Sequence, residues 1–137
     1  MPPTRELIDS LAVHAALDTE TLASVVDALS DCEEAVTACA AGMLGEQDID
    51  RMRSNVLRDL DCGDVVVTTR RLLTRATGDD SALIAAQLEV CLMACRRSHE
   101  ACSRTAAAHE HCRLCTDAAH QAAEACRRAL KALRSLH

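Results

Sequence analysis

The sequence predicts an all-α protein, an antiparallel four-helix bundle preceded by a short extra N-terminal helix. Three observations carry this reading. The 137-residue chain contains no Phe, Trp or Tyr, whereas strands usually recruit aromatic and β-branched side chains. Its four Gly and two Pro are too few to punctuate many short elements. Apolar residues and cysteines recur at steps of three and four along four long stretches, and those steps return a side chain to one helix face.

Taken in order, Thr4 caps a short helix over about 4–16 that carries Leu7, Ile8 and Leu11. Asp18, a favoured N-cap type, starts a long helix to about Ala41, and Gly42-Met43-Leu44-Gly45 breaks it. The next helix runs from about Asp48 to Ala76, where Thr77-Gly78-Asp79-Asp80 reads as a Gly stop followed by an Asp start. Another spans about Ser81 to Ala107; with no Gly or Pro at its end, the boundary is set near His109. The last runs from about His111 to Ser135. Four long helices on short loops make antiparallel neighbours. Residues 1–137 are therefore expected to form one domain, with the bundle over about 18–136.

Inward seams follow from alternating steps of four and three. They read Val25, Leu29, Cys32, Val36, Cys39, Met43; then Met52, Asn55, Asp59, Cys62, Val66, Thr69, Leu73. The other two read Ile84, Leu88, Cys91, Cys95, Ser98, Cys102, Thr105 and Cys112, Cys115, Ala119, Ala122, Cys126, Ala129, Leu133. All nine cysteines fall on these seams.

At about 1.5 Å per residue, antiparallel packing sorts them by height. Cys39, Cys102, Cys112 and Cys115 lie near one end, with Met43 and Met52 above them and His109 and His111 at the rim. Cys32 and Cys95 come near the middle, and Cys62, Cys91 and Cys126 lower. Val25, Leu29, Leu73, Ile84, Leu88 and Leu133 are expected to plug the other end. Asn55 and Asp59 stand out, because buried polar groups cost free energy unless paired. His99 is one residue off its seam, and His14, His120 and His137 are expected at the surface.

Composition narrows the function. A net charge of −6 and a pI near 5.4 argue against nucleic-acid or membrane-surface partners. The basic run Arg127, Arg128, Lys131 and Arg134 reads as a solvated face near a helix C-terminus. No stretch approaches the ~18 apolar residues of a membrane span, and the N-terminus lacks the pattern of a signal peptide. A cytoplasmic protein is expected, whose thiols stay reduced; an odd number of cysteines also suits a disulfide framework poorly.

Reduced thiols lined along a core point to soft metal ions: Cu(I), Zn(II) or iron–sulfur clusters. Cu(I) accepts two or three sulfurs, so pairs one turn apart such as Cys91/Cys95 or Cys112/Cys115 nearly complete a site. Zn(II) wants four converging ligands, and iron–sulfur ligation normally uses loops. Several Cu(I) ions per chain, held by Cys32, Cys39, Cys62, Cys91, Cys95, Cys102, Cys112, Cys115 and Cys126, are the favoured reading. Met43, Met52, His109 and His111 form the candidate entrance, since thioether and imidazole also suit copper. Two alternatives stand beside it: Zn(II) buffering, and a helical interaction module whose cysteines are small hydrophobic filler. An enzyme is not expected, for there is no Glu-x-x-His pair for a di-iron site, phosphate loop or serine elbow.

Two segments resemble the cysteine-rich four-helix bundle copper-storage proteins, in their cytosolic bacterial branch. They are Asp61-Cys62-Gly63-Asp64-Val65-Val66, and Cys91-x3-Cys95-x6-Cys102 followed by His109-Glu110-His111-Cys112-Arg113-Leu114-Cys115 and Cys126. The likeness extends over roughly residues 20–135. It implies a bundle whose core thiolates hold many Cu(I) ions, assembled as a homotetramer that buffers copper and protects against its toxicity. The partners it implies are copper ions, with a copper chaperone as one candidate donor. This chain departs from the pattern at Val36, Met43, Asn55, Val66, Ser98, Ala119 and Ala122, where such proteins carry further cysteines. The resemblance then implies a lower capacity and a gap between Cys115 and Cys126.

Overall fold

The computed structural model describes residues 3–11, 16–76 and 78–135, and no strand occurs among them. Five helices follow one another: α1 Thr4–Leu11, α2 Thr19–Leu44, α3 Ile49–Arg75, α4 Ser81–Ser103 and α5 Glu110–Ser135, with a 3₁₀ turn over Gly78–Asp80 leading into α4. The four long helices close into a ring in which each packs on the next and α5 returns to α2. α3 and α4 are tied at one end by Asn55 Nδ2, which donates to the Ala101 carbonyl at 3.0 Å. At the other end Gln87 Nε2 donates to Thr69 Oγ1 at 2.9 Å. α1 lies on the outside of α2, where Thr4 Oγ1 donates to Asp27 Oδ1 at 2.7 Å and Arg5 pairs with Glu20.

The helix ends have local causes. Asp18 caps α2 as expected, accepting the Thr21 N–H at 2.8 Å, a contact worth about 1 kcal/mol. Two boundaries differ from expectation. α2 continues through Gly42 to Leu44, and the stop is Gly45, whose N–H bonds the Gly42 carbonyl at 3.2 Å. A single Gly inside a helix costs only about 1 kcal/mol, which the buried seam on either side offsets. α4 ends at Ser103 rather than Ala107. There the Thr105 amide and hydroxyl both turn back on the Cys102 carbonyl, at 3.1 and 3.2 Å, offering the chain a turn in place of the next helical bond. α1 ends at Leu11, and Ala16 and Leu17 form a bend; the expected helix over 12–15, together with His14, Thr77 and His137, lies outside the described residues.

Every seam residue is buried except Thr105, which sits in the turn after α4 and is half-buried. One end of the core is wholly apolar, built from Val25, Leu29, Leu73, Ile84, Leu88 and Leu133. Ile8, Ala16 and Leu17 bury against the same cluster. Burying such side chains stabilises by about 1.5–3 kcal/mol each, so the closed end anchors the fold and leaves the rest of the core free to carry sulfur. Arg127, Arg128, Lys131 and Arg134 are all exposed, with Arg127 on Glu124 and Arg134 on Glu89.

Candidate metal centre

All nine cysteines are free thiols with no exposed surface. They stack in three levels. The upper one joins Cys39, Cys102, Cys112 and Cys115: Cys39 Sγ is 3.9 Å from both Cys102 and Cys112 Sγ, and Cys115 Sγ is 3.6 Å from Cys102 Sγ. The middle one joins Cys32 to Cys62 at 3.8 Å and Cys62 to Cys95 at 3.9 Å. Cys91 and Cys126 form the lower pair, with Thr69 beside Cys91. Cys62 thus stands one level higher than expected. Asn55 on the Ala101 carbonyl and Asp59 on Ser98 set the register of α3 against α4, which brings the next turn of α3 opposite Cys95.

These spacings suit bridging ions. With a metal–sulfur bond of about 2.3 Å, two sulfurs on one trigonal ion stand about 4.0 Å apart. The observed 3.6–3.9 Å therefore admits ions between sulfurs with little backbone movement. Without metal, each level shares a proton deficit among its sulfurs. Hydrogen bonds from Cys102 and then Cys39 pull the Cys115 thiol well below its ordinary range. Those from Cys62 and Cys95 lower Cys32, and one from Cys126 lowers Cys91. The neighbours move the other way. Cys39, Cys95, Cys102 and Cys126 are pushed up chiefly by the sulfur they donate to, and Cys112 by burial. Within each level the hydrogen bonds thus favour the thiolate at one sulfur over its neighbours.

Asp59 belongs to the upper level. Its Oδ1 accepts from the Ser98 hydroxyl at 2.7 Å and lies 3.3 and 3.4 Å from the Cys102 and Cys115 sulfurs. Oδ2 is buried without a hydrogen-bond partner among the described residues. Burial first, and the neighbouring Cys115 sulfur second, raise this carboxyl to about 7. With Cys39, Cys102 and Cys115 it forms a set of four potential ligand atoms within 4.8 Å of one another. The seam pattern had marked Asp59 as a puzzle and given it no role; the signal available was a carboxylate one turn from a cysteine on the same face. Asn55, the other puzzle, is satisfied by the Ala101 carbonyl.

Above the thiols the α2–α3 loop meets the start of α5. His111 stands between the two regions: its Nδ1 lies 3.6 Å from Cys39 Sγ and 3.5 Å from Cys112 Sγ, and its Nε2 lies 3.0 Å from Glu46 Oε1. His109 stacks on it with ring centres 5.3 Å apart. A Cβ on Gly42 would fall 2.8 Å from the His111 ring, so the ring can lie flat on α2 only because residue 42 is glycine. A surface groove lined by Asp31, Glu34, Ala38 and Leu114 reaches Cys39 and His111 from the side. Met43 and Met52 are fully buried in the core, one turn above Cys39 and Asn55. His99 is half-buried against the Thr116 carbonyl and His120 is exposed.

Residues 18–131 match the sequence profile of the family described as copper storage protein. The chain belongs to the copper storage protein family. Two solved structures give the likeness in three dimensions. One, the copper storage protein of Streptomyces lividans loaded with 10 copper equivalents, superposes with a TM-score of 0.90 at 31% identity, over 94% of this chain and 98% of that one. Another, a cytosolic copper storage protein from the same organism described with five coppers, gives 0.80 at 34% identity, over 82% and 93%. No curated protein sequence matches the chain. As a copper storage protein, this chain stores copper, and Val36, Val66, Ser98, Ala119 and Ala122 are fully buried on the same seams as its cysteines.

Proposed function

We propose that this copper storage protein holds copper as Cu(I) on its nine cysteine thiolates, as a cytosolic buffer that keeps the ion from doing harm rather than as a catalyst. The observation that carries it is the stack of sulfurs, 3.6–3.9 Å apart in its upper two levels, sealed from water and closed below by an apolar plug. Soft, closely spaced sulfurs favour a soft ion of low coordination number. The ceiling is about one Cu(I) per thiolate, since each bridging sulfur serves about two ions.

Copper passes His109 and His111, whose inward nitrogen faces Cys39 and Cys112, with Met43 and Met52 lining the wall behind. Glu46 faces the outer nitrogen of His111; a proton shared there leaves the inward lone pair free for an arriving ion. Asp59 adds an oxygen to the upper level. A copper chaperone is the candidate donor at this end. Leu57, Leu60, Val90 and Met93 are exposed on α3 and α4, an apolar face suited to the homotetramer that the family resemblance implies.

Zinc is the second reading, favoured by one observation: Cys39, Asp59, Cys102 and Cys115 offer four ligands, the number Zn(II) takes. An anaerobic titration of reduced protein against a competing chelator tests both. The chain has no aromatic residue, so thiolate-to-copper charge transfer is read on an almost dark near-ultraviolet background. Several tightly held Cu(I) per chain is the expected result. Uptake limited to about one Zn(II) for every four thiols would turn the assignment to zinc, and uptake of neither ion would leave cysteines as core filler.

A further inference from the structure

The mouth holds a second group of metal-ligating side chains that contains no sulfur. Glu46 Oε1 is 3.0 Å from His111 Nε2 and 3.3 Å from His109 Nδ1, and the three atoms all lie within 4.8 Å of one another. Ligands on a tetrahedral ion with bonds of about 2.0–2.1 Å stand about 3.3 Å apart. One spacing is therefore at that value already and a second, at 3.0 Å, falls just short of it. The stacked imidazoles, tilted by only 15°, hold both donors on one side of the loop. Asp48 Oδ2 stands 3.8 Å from His109 Nε2. It favours the ring proton there and leaves Nδ1 as the ligating nitrogen, the carboxylate–histidine arrangement of many metal sites.

We propose that Glu46, His109 and His111 form a divalent-cation site of the zinc class at the mouth, and that filling it shuts the inward nitrogen of His111 to copper. Two imidazoles and a carboxylate make a set of borderline to hard donors, while Cu(I) finds better partners in the sulfurs below. The two regions thus sort ions by softness. The coupling comes from the ring itself. A neutral imidazole has one lone-pair nitrogen and one N–H. In the empty site the proton on Nε2 is shared with Glu46, and the lone pair on Nδ1 faces Cys39 and Cys112. An ion on Nε2 takes that lone-pair position, the ring carries its single proton on Nδ1, and no donor faces inward.

This inference rests on the copper reading only for its gating half. Co(II), added at one equivalent to reduced full-length protein without oxygen, probes the site alone. The expected spectrum has d–d bands and no thiolate-to-cobalt charge transfer, and it is lost in Glu46→Gln. Sulfur charge transfer with the first equivalent, or an unchanged spectrum in Glu46→Gln, would overturn the site. For the gate, Cu(I) uptake is followed with and without one equivalent of Zn(II). The natural chain is expected to slow about fivefold or more and Glu46→Gln less than about twofold, each against its own zinc-free rate. No slowing in the natural chain, or equal slowing in both, refutes the gate. A chain that takes up no Cu(I) refutes the storage reading instead, and the cobalt spectrum still decides the site.

Discussion

Replacing Asp59 by Asn puts a number on the upper thiol level. The carboxyl rises from 3.8 to about 7 because it is buried, with the Cys115 sulfur adding to the effect. At about 1.4 kcal/mol per pH unit, that rise corresponds to about 4 kcal/mol. The sign follows from which state keeps the proton. Below about pH 4 both folded and unfolded chains carry it, and the group costs nothing. Between about 4 and 7 only the folded chain keeps it, so stability falls as pH rises, and above about 7 the whole cost is present. Asn removes the titration but places an amide N–H where Oδ2 now has no partner. That orphan donor costs about 1–3 kcal/mol at every pH. Asp59→Asn should therefore stabilise the reduced, metal-free protein by about 1–3 kcal/mol near pH 8 and destabilise it by a similar amount near pH 4. Urea unfolding across that range, with reductant present, measures the difference. A gap between variant and natural chain that stays constant with pH would refute the reasoning, because it would mean that Asp59 does not titrate between the two states.

Three further outcomes are expected. Gly42→Ala places a methyl 2.8 Å from the His111 ring; displacing that ring should slow Cu(I) loading in stopped-flow while the final copper content stays the same. Leu29→Ala opens a cavity in the closed end, where Leu29 is fully buried, and should cost about 2–5 kcal/mol in chemical denaturation with no change in copper stoichiometry. Ala122→Cys adds a thiol on the same seam as Cys126 and should raise copper per chain in elemental analysis, at an overpacking cost of about 1–3 kcal/mol to the empty protein.

Much of the bundle was legible because heptad-like spacing, Asp caps and sparse glycine all point the same way. The buried seams from Val25 to Leu133 agree with the alternating steps almost residue for residue. Helix ends were less legible. Gly42 and Gly45 look alike in sequence, yet only Gly45 stops α2, while Gly42 yields space to a ring from a helix nearly seventy residues away. The end of α4 depends on Thr105 bonding back to Cys102, a local competition with no punctuation residue. Heights counted along separate helices also could not place Cys62, because the register between α3 and α4 is fixed by Asn55 and Asp59 across the interface. For the same reason Asp59 stood out without a role and Glu46 escaped notice: each gains its role from partners on other elements.

The uneven sharing of protons among the sulfurs makes the core an ion exchanger. Hydrogen bonding favours the thiolate at Cys115, Cys32 and Cys91, and most of the sulfurs around them hold their protons more tightly. The first monovalent ion at a level neutralises a charge already there; each later one evicts a proton from a thiol. Net charge in the sealed interior then rises by about one per level with the first ion and stays constant as the rest enter. Filling is not halted by mounting repulsion between ions, and the store can be packed until its sulfurs, rather than its electrostatics, run out.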